Sequence, residues 1–121
     1  MASNRTRRVG DRIREEVSDL LLRRVKDPRI GFVTITDVEL TSNLRLAKVF
    51  FSVMGDEEDR LRAAAGLKSA LGFIKRELAA RLQLKFMPDI IFVHDPSLEY
   101  GDKIEKILRE IREDEAQEEG H

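Results

Sequence analysis

The sequence predicts an α+β fold in which helices cover one face of a three-stranded sheet. Three observations predict it: apolar residues at helical spacing near both ends, two adjacent stretches rich in β-branched and aromatic residues, and one short apolar run after a long helical region. At 121 residues the chain has room for one hydrophobic core and no second domain. The predicted order is helix, strand, strand, two helices that meet at a kink, strand and helix.

The first predicted element is an amphipathic helix from about Thr6 to Val25. Its apolar residues recur every three or four positions, and arginines and carboxylates occupy the others. Residues 27–31 end this helix, because proline disfavours helical geometry in the residue before it and glycine accepts backbone angles that other residues avoid. The apolar face consists of Val9, Ile13, Val17, Leu20 and Leu21.

Residues 32–40 and 44–53 are predicted to form a β-hairpin around the polar break at 41–43. In the first strand Val38 falls out of phase with Val33 and Ile35, and a β-bulge near Thr36 would restore the phase. In the second strand, alternation places one apolar set toward the helices. This set is Ala47, Val49, Phe51 and Val53.

The acidic cluster at residues 56–59 favours the start of a helix, because the helix dipole stabilises negative charge at the N-terminus. Two sets of apolar residues follow and meet at Leu71. Because Gly72 lies at this junction and glycine costs a helix interior about 1 kcal/mol relative to alanine, we interpret the junction as a kink between two helices. The kink residues are Ala70, Leu71 and Gly72.

The run after Pro88, residues 89–93, is short and wholly apolar after its first residue, which predicts a buried third strand. A final amphipathic helix then leads into an acidic tail. We therefore expect one domain over residues 1–112 and a disordered tail over residues 113–121. The apolar positions of the final helix are Ile104, Ile107, Leu108 and Ile111.

Composition argues against several classes of function. The chain has no cysteine, so neither a disulfide framework nor a thiolate metal site is expected. No apolar stretch approaches the roughly 20 residues that span a bilayer, so we expect a cytoplasmic protein that does not enter the membrane. Neither His94 nor His121 has a nearby nucleophile or carboxylate pair at catalytic spacing, which predicts no enzyme, small-molecule substrate, metal or cofactor.

The charges are segregated along the chain, although the net charge is only −1. Arginines concentrate in residues 1–14, carboxylates in residues 113–119, and a further group of cations surrounds Gly72. The missing side chain of Gly72 would let an RNA backbone approach exposed amides, while nearby cations replaced counterions on its phosphates. The cations near Gly72 are equally compatible with ordinary solvated helix charges. The arginines at the N-terminus, taken alone, slightly favour a flexible, solubilising segment.

Several stretches resemble the ribosome-binding factor A family: residues 27–38, 47–50 and 72–78, the last leading on to Pro88. The likeness extends over nearly all of residues 5–112. The order of elements is that of a type II KH-like RNA-binding domain. The stretch at residues 70–72 resembles the Ala-x-Gly kink of this family, in place of the Gly-x-x-Gly loop of ordinary KH domains.

The resemblance implies an assembly factor that binds the small (30S) ribosomal subunit and its 16S rRNA late in maturation, assists rRNA processing and folding, and supports growth in the cold. We expect it to act as a monomer. The alternative is a protein-interaction adaptor that acts through the C-terminal helix and acidic tail. The predicted RNA-binding residues are Arg5, Arg7, Arg8, Arg45, Lys48, Lys68, Ser69, Gly72, Lys75, Arg76, Arg81 and Lys85.

Overall fold

The computed structural model describes residues 4–31, 33–96 and 107–112. Its five main elements are α1 (Asn4–Arg23), β1 (Val33–Leu40), β2 (Leu46–Val53), α2 (Glu57–Leu82) and β3 (Asp89–His94). Residues 107–112 are also helical, whereas Ile104 and the predicted tail lie outside the described residues. The strands form one sheet in the order β1-β2-β3, with β1 antiparallel and β3 parallel to β2. The predicted α+β fold is confirmed.

The hydrophobic core lies between the helices and one face of the sheet. The alternation predicted for β2 is confirmed, because Ala47, Val49, Phe51 and Val53 are all buried. Burying this apolar surface is the main term that stabilises such a fold. The helices contribute Ile13, Val17, Leu20, Ala63, Leu67, Ile74, Leu78 and Leu82 to the same cluster.

Strand β1 contains the β-bulge predicted near Thr36. The register with β2 shifts between Ile35 and Asp37, so Thr36 is the extra residue. Its hydroxyl donates a hydrogen bond to the carboxylate of Asp95, at 2.9 Å. The shift returns Val38 to the helix-covered face of the sheet, where it packs against the core.

Helix α2 corrects the prediction of two helices. It is one helix of 26 residues that continues through the expected break at Ala70, Leu71 and Gly72. Glycine weakens a helix, but it keeps its backbone donor and acceptor, so the helix persists where neighbouring turns are held in place. Here Leu67 and Ile74, both fully buried, anchor the turns on either side of the glycine.

The acidic start of α2 forms a capping box. The N-cap residue Asp56 accepts a hydrogen bond from the backbone N–H of Asp59 at 2.9 Å, and the Asp59 carboxylate accepts from the backbone N–H of Asp56 at 3.1 Å. The first of these bonds is the main reason that the pKa of Asp56 is lowered. At the other end Gln83 adopts a left-handed conformation, with φ 52°, and directs the chain toward β3.

Two glycines in α2 have opposite surroundings. A Cβ atom on Gly66 would lie 2.9 Å from Cγ1 of Ile30 and 3.3 Å from Cβ of Arg29, so the glycine lets the loop before β1 pack against the helix. A Cβ atom on Gly72 would have nothing within 4 Å. The fold of the described residues therefore requires Gly66 and gives no packing reason for Gly72.

We expect Gly66→Ala to be less stable than Gly72→Ala by about 1–3 kcal/mol in free energy of unfolding, the typical cost of overpacking a core. Both substitutions gain the same helix propensity of about 1 kcal/mol, so their difference isolates the packing term. Urea denaturation of both variants measures it. Equal stabilities would contradict the close packing at Gly66.

Three carboxyl groups are held ionised by partners. The Arg29 side chain lowers the pKa of Asp27, the Lys75 ammonium lowers that of Asp89, and the Asp59 N–H lowers that of Asp56. A carboxyl group whose pKa is lower in the folded than in the unfolded protein stabilises the fold when the pH is above its unfolded pKa, which is about 3.9 for Asp. That contribution is lost as the pH falls through the folded values.

The free energy of unfolding should therefore decrease as the pH is lowered below about 4. Urea titrations between about pH 6 and about pH 2 measure this decrease, and Asp27→Asn should make it smaller. The control is Asp11→Asn, because Asp11 is exposed and has no ion pair in the described chain. An Asp27→Asn profile parallel to that of the unmodified protein would refute the contribution of Asp27.

Candidate nucleic-acid interface

The exposed face of α2 carries a row of residues spaced four apart: Lys68, Gly72 and Arg76. Residues at this spacing lie on the same face of a helix. All three are exposed, and neither cation forms an ion pair with any residue that the structure describes. We call this row the α2 stripe. It presents two unpaired positive charges on either side of a position that has no side chain.

Arg60, which was not among the predicted RNA-binding residues, lies two turns before Lys68 in the same row of residues spaced four apart. The two side chains line a surface groove of about 350 Å³ between α2 and the edge strand β3. Arg60 forms an ion pair with Glu57 at 2.9 Å, so its charge is partly neutralised. The spacing of four residues from Lys68 back to position 60 could have indicated Arg60 as a member of this row. The acidic run just before Arg60 made that segment look unfavourable for binding RNA. The groove is completed by Phe51, Ala64, Leu71, Ile90, Ile91, Phe92 and His94.

Two of the predicted RNA-binding cations are engaged within the protein. Lys75 forms an ion pair with Asp89 at the start of β3. Arg81 donates through Nη1 to Oε2 of Glu16 at 2.8 Å and to Oδ2 of Asp19 at 2.9 Å, and these bonds raise its pKa. Arg81 therefore joins α2 to α1, and its charge is balanced by two carboxylates.

Ser69 lies on the side of α2 that faces the loop before β1. Its hydroxyl accepts a hydrogen bond from Nη2 of Arg29 at 3.3 Å. That guanidinium is itself paired with Asp27 at 2.7 Å, and the carboxylate raises the pKa of Arg29. Ser69 is exposed, but its hydroxyl contacts this loop rather than the α2 stripe.

The remaining predicted cations lie in three places. Arg5, Arg45 and Lys85 line one cavity, although they come from three distant parts of the chain. Arg7 and Arg8 are exposed in the first turns of α1. Lys48 is exposed on β2, opposite Glu39 of β1 in the sheet register. The prediction named these residues as one set, and the fold places them at several separate positions.

Neither a metal centre nor a membrane span is found in the described part of the chain. Its residues contain no group of three or more histidine, aspartate or glutamate side chains placed to hold a metal ion. None of its helices combines the length and the apolar character needed to cross a bilayer. Two surface grooves of the described chain combine cationic and apolar side chains.

Comparisons with known sequences identify relatives over most of the chain. The sequence model of the family described as Ribosome-binding factor A matches residues 5–108. The chain is 51% identical to ribosome-binding factor A of Brevibacillus brevis over 111 residues, which cover 92% of each protein. It is 45% identical to ribosome-binding factor A of Halothermothrix orenii over 115 residues, covering 95% of this chain and 94% of that protein.

Solved structures show the same fold. The crystal structure of ribosome-binding factor A from Thermus thermophilus is similar with a TM-score of 0.64 and 19% identity, over 74% of this chain and 94% of that one. A homology model of the Thermus thermophilus protein, fitted into a cryo-EM map of its complex with 30S, has a TM-score of 0.53 and 24% identity, over 74% of this chain and 90% of that one.

These likenesses agree with the fold and with the residues that suggested the family. The predicted KH-like arrangement is confirmed, since the structural neighbours share it. The match to the family model covers far more than half of the sequence, and relatives above 40% identity align over nearly its full length. The chain belongs to the ribosome-binding factor A family.

Proposed function

We propose that this protein binds the small ribosomal subunit late in maturation and stabilises one conformation of its 16S rRNA. The family is one of non-enzymatic ribosome-binding factors, so the protein itself makes and breaks no bond. The small subunit as partner is supported by the relative that was fitted into a 30S complex. We also propose that the protein is a monomer and acts in the cytoplasm.

The main support for the proposed RNA contact is the exposed glycine between two unpaired cations on α2. A helix-interior glycine costs about 1 kcal/mol relative to alanine, and nothing in the described fold comes within 4 Å of its missing Cβ. Close approach by an external backbone accounts for that cost. Because α2 continues through Gly72, its amides are hydrogen bonded within the helix, so the contact is close packing rather than the capture of bare amides.

Whether a predicted cation is already ion-paired decides how much it can contribute to RNA binding. Lys68 and Arg76 are exposed and unpaired within the described residues, so they can replace counterions on phosphates directly. Lys75 and Arg81 already form ion pairs with carboxylates. If either cation bound a phosphate instead, its carboxylate would remain close by and repel the RNA. We therefore place the α2 stripe at the centre of the interface and the two paired cations outside it.

Assistance to rRNA processing follows from selective binding. A protein that binds one RNA conformation more tightly than others shifts the population toward it by that difference in affinity. Processing of the precursor ends is then carried out by a separate nuclease on the favoured conformation. Growth in the cold would depend on the protein for the same reason, because it supplies binding free energy to the productive RNA conformation.

Association with ribosomal particles tests the proposed function directly. The protein should co-sediment with free small subunits and much less with translating ribosomes. Affinity should fall as salt rises, since each contacted phosphate releases counterions. Equal association with both particles, or an affinity that ignores salt, would reject the proposal.

Removing the two charges of the α2 stripe should reduce the salt dependence of binding. Each phosphate contact contributes about 0.7 to the slope of log affinity against log salt for single-stranded RNA, so Lys68→Ala with Arg76→Ala should lower the slope by about 1.4. Filter binding to purified small subunits measures it. The control is Lys26→Ala, because Lys26 is exposed, lies outside α2 in the loop that follows α1, forms no ion pair within the described residues, and should leave the slope unchanged.

Gly72→Ala separates binding from stability. Alanine should raise the free energy of unfolding by about 1 kcal/mol through helix propensity. The added methyl group should also hold the RNA backbone away and weaken small-subunit binding by about tenfold or more, which corresponds to a loss of about 1.4 kcal/mol in binding free energy. A variant that is more stable and binds as tightly as the unmodified protein would show that Gly72 is not at the interface.

The adaptor function has one observation in its favour. Ile107, Leu108 and Ile111 are exposed apolar side chains on the helical segment 107–112. Such a surface can bind a partner helix. Truncation after Ile111 distinguishes the functions: we expect the shortened protein to remain associated with small subunits, and a loss of association would favour the adaptor.

A further inference from the structure

A cavity lies where three segments distant in sequence meet. The first turns of α1, the turn between β1 and β2, and the loop from α2 to β3 enclose about 610 Å³. This volume is within the range of sites that hold a small organic group. Much of its wall is apolar, with contributions from Val9, Leu44, Leu84, Phe86 and Met87.

Positive charge surrounds the cavity. Arg5, Arg45 and Lys85 line it, and its described lining contains no carboxylate. None of the three forms an ion pair with a residue in the described ranges. Helix α1 begins here with no acidic residue in its first turn, so the positive end of the helix dipole adds to the field. The cavity therefore favours an anionic ligand that also has an apolar part.

Phe86 supplies an aromatic surface at the cavity. Its side chain is 77% exposed, although it is large and apolar. The Nζ atom of Lys85 lies 5.7 Å from the ring centroid, so a cation accompanies the ring. Exposed aromatic rings beside cations are the usual platforms for unpaired bases of single-stranded nucleic acids.

The β1–β2 turn holds its part of the cavity in a defined conformation. Leu44 has φ 58°, in the left-handed region that a branched residue rarely adopts. Oδ1 of Asn43 accepts hydrogen bonds from Oγ1 of Thr41 at 2.7 Å and from the backbone N–H of Arg45 at 3.0 Å. The backbone N–H of Leu44 also donates to the carbonyl of Thr41 at 2.8 Å, and a turn followed by a left-handed residue is a common connection in β-hairpins. The turn thus presents Arg45 to the cavity before any ligand arrives.

We propose that this cavity binds one unstacked base of single-stranded rRNA on the ring of Phe86, while Arg5, Arg45 and Lys85 contact the flanking phosphates. The inference rests on the proposed function and adds a second RNA contact to the α2 stripe. A base within a duplex could not enter, because its faces are stacked. An apolar segment of a ribosomal protein is a poorer fit, since it would leave the cations without counter-charges.

The test compares two RNA probes with the full-length protein. One is a single-stranded adenosine hexanucleotide, and the other has the same backbone with abasic residues. We expect Phe86→Leu to bind the adenosine probe about tenfold more weakly or worse, and Phe86→Tyr to retain binding because it keeps the ring. The unmodified protein should bind the abasic probe as weakly as Phe86→Leu binds the adenosine probe.

The same variants are measured against purified small subunits. Phe86→Leu should lose a similar factor there, whereas Leu22→Ala should lose nothing, because it removes an equally exposed apolar side chain elsewhere. Thermal unfolding confirms that each variant folds.

The inference would be overturned by unchanged binding of the adenosine probe by Phe86→Leu, by equal binding of both probes by the unmodified protein, or by no binding of the adenosine probe. A loss confined to small subunits would also overturn it and indicate a ribosomal protein as occupant. Failure of the unmodified protein to bind small subunits would instead reject the proposed function.

Discussion

Burial of Leu67, Ile74 and Leu78 against the sheet sets the rotation of α2 about its own axis, and most of the surface chemistry depends on that rotation. Because a helix has 3.6 residues per turn, fixing its buried face also fixes its exposed face. Lys68, Gly72 and Arg76 are directed outward as a consequence. A rotation of about 100°, the angle between successive residues of a helix, would turn Gly72 and its two flanking charges together away from the solvent-facing side.

The parallel pairing of β2 and β3 has a comparable effect at the other end of the molecule. The backbone N–H of Asp89 donates to the carbonyl of Arg45 at 2.8 Å, and the pairing then continues from Leu46 opposite Asp89. This register brings the loop before β3 beside the turn before β2. The cavity lined by Phe86 and Arg45 exists because both segments lead into paired strands at the same edge of the sheet.

Ion pairs divide the cations into two groups with different roles. Arg81 is held by Glu16 and Asp19 of α1, and Lys75 by Asp89, so these charges stabilise contacts between elements. Lys68, Arg76 and the cations around the cavity have no such partners in the described chain, so their charge remains available to a polyanion. A net charge near zero is therefore compatible with an RNA-binding protein.

Local patterns in the sequence determined the elements. Alternation along β2, the phase error at Val38 and the acidic start of α2 each have a short-range cause, and the structure confirms the strand, the bulge and the start of the helix. The break expected at Gly72 was wrong, because burial of Leu67 and Ile74 on either side of the glycine overrode a local propensity. Only the tertiary structure decided which cations are paired, which glycine is packed, and that Arg5, Arg45 and Lys85 meet at one cavity. Those properties depend on contacts between residues far apart in the chain, which periodicity and composition do not encode.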